Sequence, residues 1–569
     1  MTIAPFTLAE IDEAADALLA EGGIYSVVPG EVRGVRYDRL FAMSSLSLRE
    51  VLAVRTAENA DQELLVYGDQ RLTVGEVWTR AMRFADWLGQ QGVGPGHRAA
   101  IAMRNYPEWC IAYLGIIATG ACVVPLNAWW QPGELREGLV RSEAKFVVVD
   151  AKRAAHILPC KEELGLTLIG AREEVPEADH RIEDIVSDET LSDQPPATPI
   201  DPDSDFCLLF TSGSTGKPKG ALLTHRGVVS AILSWSFQLQ IVQRLRPEHT
   251  FVPENPAMLL ALPLFHVTAS HSVFLLSYLT GRKIVFMYRW DAEEALRLIR
   301  EEKITNFTGV PTMAHELIEA AEPGDLDTLV DITTGGAKRP ETQRERHREK
   351  APEVGASSGY GLTETNAMGT HITLSDYDLR PSATGRVLKP VTEMAAFSED
   401  GERLPTGQTG EICVRGPITF RAYLADEEAT RAAFYEDGWF RTGDLGYLDE
   451  DGFLFIVDRV KDLIIRGGEN VSCLEVENAL LAQPGVNEAT VFAVPDETLG
   501  ERVGAAIWSR GGDADLEAVR AGVAKELASF KVPERLWLSP APLPRGNTGK
   551  IDKRATRAFA LEHPPHLSA

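Results

Sequence analysis

Residues 211–220 have the sequence Thr-Ser-Gly-Ser-Thr-Gly-Lys-Pro-Lys-Gly and follow the apolar run Phe206 to Phe210. The apolar run predicts a buried β-strand. Glycine lacks the Cβ atom that would shield neighbouring backbone N–H groups, and consecutive exposed N–H groups bind anions. The pattern therefore predicts a phosphate-binding loop after a strand, although a flexible Ser/Gly turn would have a similar composition. The candidate phosphate-binding residues are Thr211, Ser212, Gly213, Ser214, Thr215, Gly216, Lys217 and Lys219.

This loop differs from the P-loop of many nucleotide-binding proteins. The P-loop pattern G-x-x-x-x-G-K-[ST] requires glycine five positions after Gly213, where Pro218 stands. A different phosphate-binding fold is therefore expected.

Length and composition limit the classes of protein. The 569 residues exceed one ordinary hydrophobic core, so several domains are expected. The apolar and charged fractions, 44% and 25%, are typical of globular proteins. A net charge of −26 argues against non-specific binding to nucleic acid or anionic membranes.

The six cysteines are scattered without a C-x-x-C pair, which predicts no zinc site and suits a reducing compartment, so a cytoplasmic location is expected. The uncharged stretches 109–133 and 255–280 are long enough to span a bilayer. Glycine, proline and polar residues interrupt both stretches, so we expect buried helix–strand segments and no transmembrane segment.

The first residues predict an N-terminal extension. Thr7-Leu8-Ala9-Glu10 is a capping box that begins an amphipathic helix, and Gly22-Gly23 ends it. We expect residues 1–45 to form this extension, which packs either on the body of the protein or on a second subunit of a homodimer.

The rest of the chain predicts an α/β fold. Helical and strand patterns alternate from residue 46, which indicates a large domain of parallel and mixed sheets flanked by helices. Short strands and turns after residue 383 predict a small β-rich subdomain. The stretch at residues 173–205, rich in Asp, Glu and Pro, predicts a loop or surface excursion before the phosphate loop. We expect the large domain to cover residues 46–460 and a small, mobile α+β domain to cover 461–569. Ligands of open parallel sheets bind outside the carboxyl ends of the strands, where several glycine-rich turns occur.

Six further stretches accompany the phosphate loop, and together they resemble the adenylate-forming superfamily of acyl- and aryl-CoA synthetases, adenylation domains and luciferases. They are Leu262–His266, Thr334-Gly335-Gly336-Ala337, Ser358-Gly359-Tyr360-Gly361-Leu362-Thr363-Glu364, Arg441–Asp444, Asp458 to Asn470, and Pro544–Lys550. Each motif alone is weak, but all seven follow the order of the family. Lys338-Arg339 departs from the uncharged residues that many members carry there.

The resemblance implies roles for individual residues. Thr211 to Lys219 would hold the β- and γ-phosphates of ATP, Thr363 the α-phosphate, and Glu364 would bind Mg²⁺. Tyr360 would stack on adenine beside the Gly335-Gly336-Ala337 and Ser358-Gly359-Tyr360-Gly361 turns, and Asp444 would bind the ribose with help from Arg459. Lys550 would bridge the acid carboxylate and the α-phosphate, while His266 would gate or line the acid pocket.

For the second half-reaction, the resemblance implies that the C-terminal domain swings about Lys461. The swing would withdraw Lys550 and bring in Gly467, Gly468 and Glu469, which resemble the lining of a pantetheine tunnel. The implied substrates and cofactors are a carboxylic acid, ATP, Mg²⁺ and CoA.

The sequence favours an acid of medium or long chain, because Leu264, Phe265, Val267, Val310, Met313 and Ala337 are apolar and no charged partner for a polar tail is evident. An aryl acid suits the same residues. Transfer to an amine or a carrier protein, and a nucleotide-binding regulator without catalysis, stay open as alternatives.

Overall fold

The computed structural model describes residues 6–211, 219–245, 255–336, 341–373, 376, 380–467, 469–512, 514–546 and 550–568. In this part of the chain, two large sheets and their helices form the main body, and a smaller sheet follows it. The fold class predicted from the alternating pattern is confirmed.

The first sheet has eight strands, and its central pairs are parallel. Only its edge next to the phosphate loop is antiparallel, because that loop joins two neighbouring strands as a hairpin. In spatial order the strands are Ala422–Tyr423, Lys219–Thr224, Asp205–Thr211, Cys122–Pro125, Arg98–Ala102, Phe146–Val149, Thr167–Gly170 and His180–Arg181.

The second sheet has thirteen strands and carries most of the candidate site residues. Its strands in spatial order are Glu393–Phe397, Gly410–Arg415, Phe440–Leu448, Phe453–Arg459, Gly385–Val387, Gly369–Thr373, Gly355–Gly361, Asp331–Gly335, Asn306–Gly309, Ala257–Leu260, Lys283–Phe286, Glu63–Tyr67 and Gln70–Thr73. The β-rich stretch after residue 383 continues this sheet with antiparallel strands.

Helices cover both sheets. The described α-helices of the body are Leu8–Glu21, Leu48–Asn59, Val74–Gln90, Pro107–Ala118, Pro132–Ser142, Ala151–Leu164, Ile182–Ser187, His225–Leu245, Leu276–Thr280, Ala292–Glu302, Pro311–Ala320, Glu341–Lys350 and Glu427–Ala432. Among the described residues, no helix is both long and apolar enough to cross a membrane.

The C-terminal part has its own sheet and its own core. Its strands are Glu469–Val471, Ile464–Arg466, Gly500–Trp508, Arg535–Ser539 and Leu567–Ser568 in order, with Glu488–Asp496 paired to Gly500–Trp508. The helices Cys473–Leu481, Leu516–Glu526 and Lys553–Glu562 accompany it. Val491, Val503 and Leu536 are fully buried in this core.

The predicted capping box of the N-terminal extension is present. The Thr7 hydroxyl accepts a hydrogen bond from the Glu10 amide, and helix Leu8–Glu21 ends at Gly22, whose φ is +76°. The extension also contains a hairpin, Val27–Val32 and Val35–Phe41, that the sequence analysis missed. The helix packs on the body of the same chain, against helix His225–Leu245.

One other local expectation needs correction. Residues 173–205 are not all loop, because Ile182–Ser187 is helical and buries Ile182. Residues Thr268–Leu275 form a π-helical segment that continues into helix Leu276–Thr280. The long helix His225–Leu245 was not predicted at all, although half of its residues are buried apolar or small side chains.

Candidate active site

Two glycine-rich turns lie side by side at the carboxyl ends of neighbouring parallel strands. Gly335 pairs with Gly359 across strands Asp331–Gly335 and Gly355–Gly361. Gly336 follows with a φ of +76°, a backbone conformation that favours glycine. Behind the turns, the hydroxyls of Thr334 and Ser358 are hydrogen-bonded at 2.6 Å.

Lys550 reaches these turns from the C-terminal part of the chain, just before helix Lys553–Glu562. A Cβ atom at Gly336 would lie 3.1 Å from the Cε atom of Lys550 and 3.4 Å from its Nζ atom. The turn that carries the lysine is closed by backbone hydrogen bonds from Gly546 to Lys550 and from Asp552 to Pro544. The C-terminal part therefore places a cation directly over the glycine turn of the large sheet.

The environment of Lys550 lowers its pKa to about 8. Desolvation by the surrounding walls is the main cause, and the Arg459 cation acts in the same direction, while Asp444 opposes both. The side chain still has solvent-accessible surface, because it extends into an open cavity and not into the core.

Asp444 is the centre of a hydrogen-bonded group on the antiparallel strands. It is buried, accepts a hydrogen bond from the Tyr360 hydroxyl at 2.6 Å and lies 3.1 Å from Nε of Arg459. Arg459 is its cross-strand neighbour, so the pair is set by the register of strands Phe440–Leu448 and Phe453–Arg459. Burial, together with the Asp444 carboxylate, raises the pKa of Tyr360.

Glu364 lies in the short 3₁₀ segment Thr363–Thr365 that follows the second glycine turn. Its carboxylate accepts a hydrogen bond from the Tyr423 hydroxyl at 2.8 Å, and the ammonium of Lys219 lies 4.8 Å from the centre of the Tyr423 ring. Burial raises the pKa of Glu364, although the hydrogen bond from Tyr423 and the charge of Lys219 oppose the shift.

The two ends of the predicted phosphate loop meet beside Glu364. Thr211 and Lys219 are paired residues of the hairpin formed by Asp205–Thr211 and Lys219–Thr224. Both line the same cavity as Thr363, Glu364 and Lys550. Residues 212–218, with the predicted contacts of Ser212 to Lys217, lie outside the described residues.

The cavity in front of these groups has a volume of about 1310 Å³ and continues along one face of the large sheet. Helix His225–Leu245 forms another wall of the cavity with its second half. The lining side chains of this helix include Trp235, Gln238, Ile241, Val242 and Leu245. We call this extension of the cavity the channel.

The sheet wall of the channel is polar. Alternate residues of each strand point to the same face. Asp331 accepts hydrogen bonds from the hydroxyls of Thr333 and Ser357, and the His371 ring lies edge-on to Trp235 with a centroid distance of 6.0 Å. Burial lowers the pKa of His371, while Asp331 and Asp376 oppose the shift. No charged group was predicted here from the sequence.

Comparison with known proteins agrees with this arrangement. A family model described as AMP-binding enzyme matches residues 52–424, and a second, AMP-binding enzyme C-terminal domain, matches residues 475–550. The chain belongs to the AMP-binding enzyme family.

Curated members of this family with known reactions cover nearly all of the chain. The long-chain-fatty-acid–CoA ligase FadD13 of Mycobacterium tuberculosis is 32% identical over 86% of this chain and 93% of its own length. The 4-coumarate–CoA ligase CCL1 of Humulus lupulus is 30% identical over 88% of this chain and 89% of its own length.

A solved structure of the family extends the likeness to the fold. The crystal structure of ATP-bound MatB from Rhodopseudomonas palustris superposes with a TM-score of 0.79 at 28% identity, covering 91% of this chain and 99% of MatB. Together these likenesses show an AMP-forming acyl-CoA ligase, an enzyme class that uses ATP and CoA.

The structure brings together many of the residues that the family resemblance singled out. Thr211, Lys219, His266, Gly335, Gly336, Gly359, Gly361, Thr363, Glu364, Arg459, Lys461 and Lys550 all line the cavity. Tyr360 and Asp444 adjoin it through Arg459 and through their mutual hydrogen bond. Ala337, Lys338, Arg339 and Gly468 lie outside the described residues.

Other expected residues lie elsewhere. Gly467 and Glu469 flank the hairpin turn between Ile464–Arg466 and Glu469–Val471 and are not among the residues that line the cavity. Of the apolar residues expected in the acid pocket, Val267 and Val310 line the cavity, whereas Leu264, Phe265 and Met313 do not. His266 packs beside Phe265 and Trp129.

Four residues of the site were not predicted from the sequence: Tyr423, Trp235, Asp331 and His371. Tyr423 belongs to the short strand Ala422–Tyr423, and the pairing of this strand with Lys219–Thr224 brings it to Glu364. The spacing of Trp235, Gln238, Val242 and Leu245 on a helical face was a visible signal in the sequence. Asp331 begins strand Asp331–Gly335, in which alternate residues point to the same face.

Proposed function

We propose that this enzyme joins an elongated carboxylic acid, of medium or long chain or of comparable length with rings, to CoA through an acyl-adenylate. The observation that carries the proposal is Lys550, which lies over Gly336 in the same cavity as Thr363 and Glu364, at the mouth of the channel. A cation at this point would meet the carboxylate of an acid whose tail fills the channel.

In the first half-reaction, a carboxylate oxygen attacks the α-phosphorus of ATP, and the bond to the bridging oxygen of pyrophosphate breaks. Negative charge accumulates where two anions approach, so fixed donors and cations do most of the catalytic work. Lys550 offsets this charge, Thr363 donates to the α-phosphate, and Thr211 with Lys219 holds the leaving pyrophosphate.

The nucleoside end has a separate set of groups. One carboxylate oxygen of Asp444 accepts the hydrogen bond from the Tyr360 hydroxyl, and the other lies beside Arg459. Tyr360 and Arg459 are therefore oriented before ATP binds. In this role Asp444 accepts hydrogen bonds from the ribose, and Tyr360 stacks on adenine. This preorganisation lowers the entropic cost of binding ATP.

Glu364 is the residue suited to Mg²⁺. No cluster of three or more His, Cys, Asp or Glu side chains suited to a metal occurs in the described ranges. A magnesium ion commonly uses one or two carboxylates and takes its other ligands from phosphates and water, which fits a lone buried carboxylate beside the phosphate loop. When bound, the ion would neutralise charge on the phosphates of ATP.

In the second half-reaction, the CoA thiolate attacks the acyl carbonyl and AMP leaves. Lys550 lines the cavity, whereas Gly467 and Glu469 do not. This position of the C-terminal part suits the adenylation step. We infer that the domain of residues 461–569 rotates about Lys461 on the body of residues 46–460 and exchanges Lys550 for the Gly467–Glu469 hairpin.

A panel of carboxylic acids in a pyrophosphate-release assay, run with and without CoA, tests this function. We expect steady turnover only with CoA and a preference for elongated acids over acetate. Turnover that requires an amine or a carrier protein in place of CoA would contradict the choice of acceptor. A panel in which only short acids react would contradict the substrate class.

The acid could also be aromatic. Trp235 and His371 are in edge-to-face contact with each other at the wall of the cavity and offer ring surface to an aryl group, and the polar sheet wall provides partners for hydroxyl groups on a ring. Hydroxylated aryl acids therefore belong in the same panel.

A further inference from the structure

We propose that the N-terminal helix Leu8–Glu21 is the outer wall of the acid channel and that its inward side chains limit the size of the acid. The proposal rests on the proposed function and names residues that set its substrate range. The helix precedes the residues matched by the AMP-binding family model, which begin at residue 52.

One face of this helix lines the cavity. Leu8, Ile11, Asp12 and Ala15 are among the lining residues, and their spacing of three and four places them on one side of an α-helix. From Leu8 to Ala15 the helix covers ~10 Å of the channel at 1.5 Å per residue. The opposite face, which includes Ala9, Glu13, Asp16 and Ala20, is exposed to solvent. The helix therefore separates the channel from solvent.

The helix is held across the channel by contacts with both of its walls. Arg386 of the sheet donates a hydrogen bond to Asp12 at 2.9 Å, and the ammonium of Lys389 lies 3.9 Å from the same carboxylate. Arg244 of the facing helix lies 2.6 Å from Glu21. Exposed ion pairs contribute little stability, so their main effect is to orient the helix.

Apolar packing fixes the helix more firmly. Ala14 and Leu18 are buried in the main core, and Ile11 and Ala15 pack against its edge. Just beyond the helix, the Tyr25 hydroxyl is hydrogen-bonded to the Ser236 hydroxyl at 2.7 Å. Ile11 and Ala15 thus occupy fixed positions, and their volume sets the room left for the far end of an acid.

The first test changes that volume. Ala15→Phe should lower kcat/KM for the longest accepted acids by about tenfold or more, because a hydrophobic pocket discriminates by that factor for small changes in size. Turnover of shorter acids should stay unchanged, and Ile11→Ala should shift the preference toward bulkier acids. Ala20→Phe, the same substitution on the exposed face, is the matched control and should leave the size profile unaltered.

An equal loss for all acids with Ala15→Phe would indicate a merely structural effect and would overturn the proposal. An unchanged size profile in both Ala15→Phe and Ile11→Ala would also overturn it. If the unmodified enzyme activates no acid, the proposed function is wrong. The labelling test alone then decides whether helix Leu8–Glu21 lines the channel.

The labelling test does not require turnover. All six native cysteines are buried, so the background of alkylation by a maleimide should be low. Ala15→Cys should react slowly when a long-chain fatty acid or its non-hydrolysable acyl-adenylate analogue is present, and faster with acetate or without ligand. Ala20→Cys should react at the same rate under all conditions. Equal labelling rates of Ala15→Cys with and without the long ligands would refute the proposal that this helix lines the acid channel.

Discussion

Lys550 and Gly336 are separated by more than 200 positions in the sequence, yet the lysine Cε atom lies 3.1 Å from where a Cβ atom at Gly336 would be. Gly336 also has a φ of +76°, which other residues adopt only with strain. The close approach therefore requires glycine for two reasons, space and backbone conformation.

Gly336→Ala should push Lys550 away and lower the rate of adenylation on the order of 10²-fold, since small misplacements of reacting groups have effects of that size. The measurement is single-turnover pyrophosphate release. Gly407→Ala provides the control, because Gly407 has a φ of +82° but no atom within 4 Å of the new methyl group. Similar losses in the two variants would show that strain alone, and not the position of Lys550, is responsible.

Lys550→Ala should reduce the adenylation rate by about 10²–10³-fold, the effect of removing one electrostatic donor from a transition state. Thioester formation from a pre-made acyl-adenylate should be largely spared, because the lysine is withdrawn for that step. Separate assays of the two half-reactions measure this. Equal losses in both would contradict the assigned role.

The pKa of about 8 for Lys550 predicts a pH dependence of adenylation. Only the protonated lysine offsets charge on the α-phosphate, and it loses its proton as the pH rises through the pKa. At subsaturating ATP, kcat/KM should therefore fall above pH ~8. In Lys550→Arg, whose guanidinium stays protonated, this fall should be absent; a fall that persists in the arginine variant would assign it to another group.

Tyr423→Phe should raise the magnesium concentration required for half-maximal activity by up to about tenfold. The variant removes a hydrogen bond of ordinary strength that orients the Glu364 carboxylate. A magnesium titration of pyrophosphate release measures the change. Tyr447→Phe is the control, because Tyr447 lies on strand Phe440–Leu448 of the second sheet and outside the cavity lining. An unchanged magnesium requirement in Tyr423→Phe would contradict the role of Tyr423 in orienting Glu364.

The alternation of helical and strand patterns predicted the α/β class, because it is a local property of the chain. The residues of the site were predicted by the resemblance of short motifs to a family. Contacts such as Tyr423 with Glu364 depend on sheet pairing between distant strands and have no local signal. Helix His225–Leu245 has a local signal in its apolar residues, although it was not predicted. The position of the N-terminal helix over the channel depends on tertiary packing and could not be inferred from its capping box.

The central claim is that the acid is activated as an acyl-adenylate, and oxygen-18 in the carboxylate of the acid tests it most directly. The carboxylate oxygen that attacks the α-phosphorus stays with that phosphorus when CoA displaces AMP. We therefore predict one oxygen-18 atom in each AMP formed during complete turnover, and none in pyrophosphate. Unlabelled AMP, or label in inorganic phosphate together with ADP, would contradict the account.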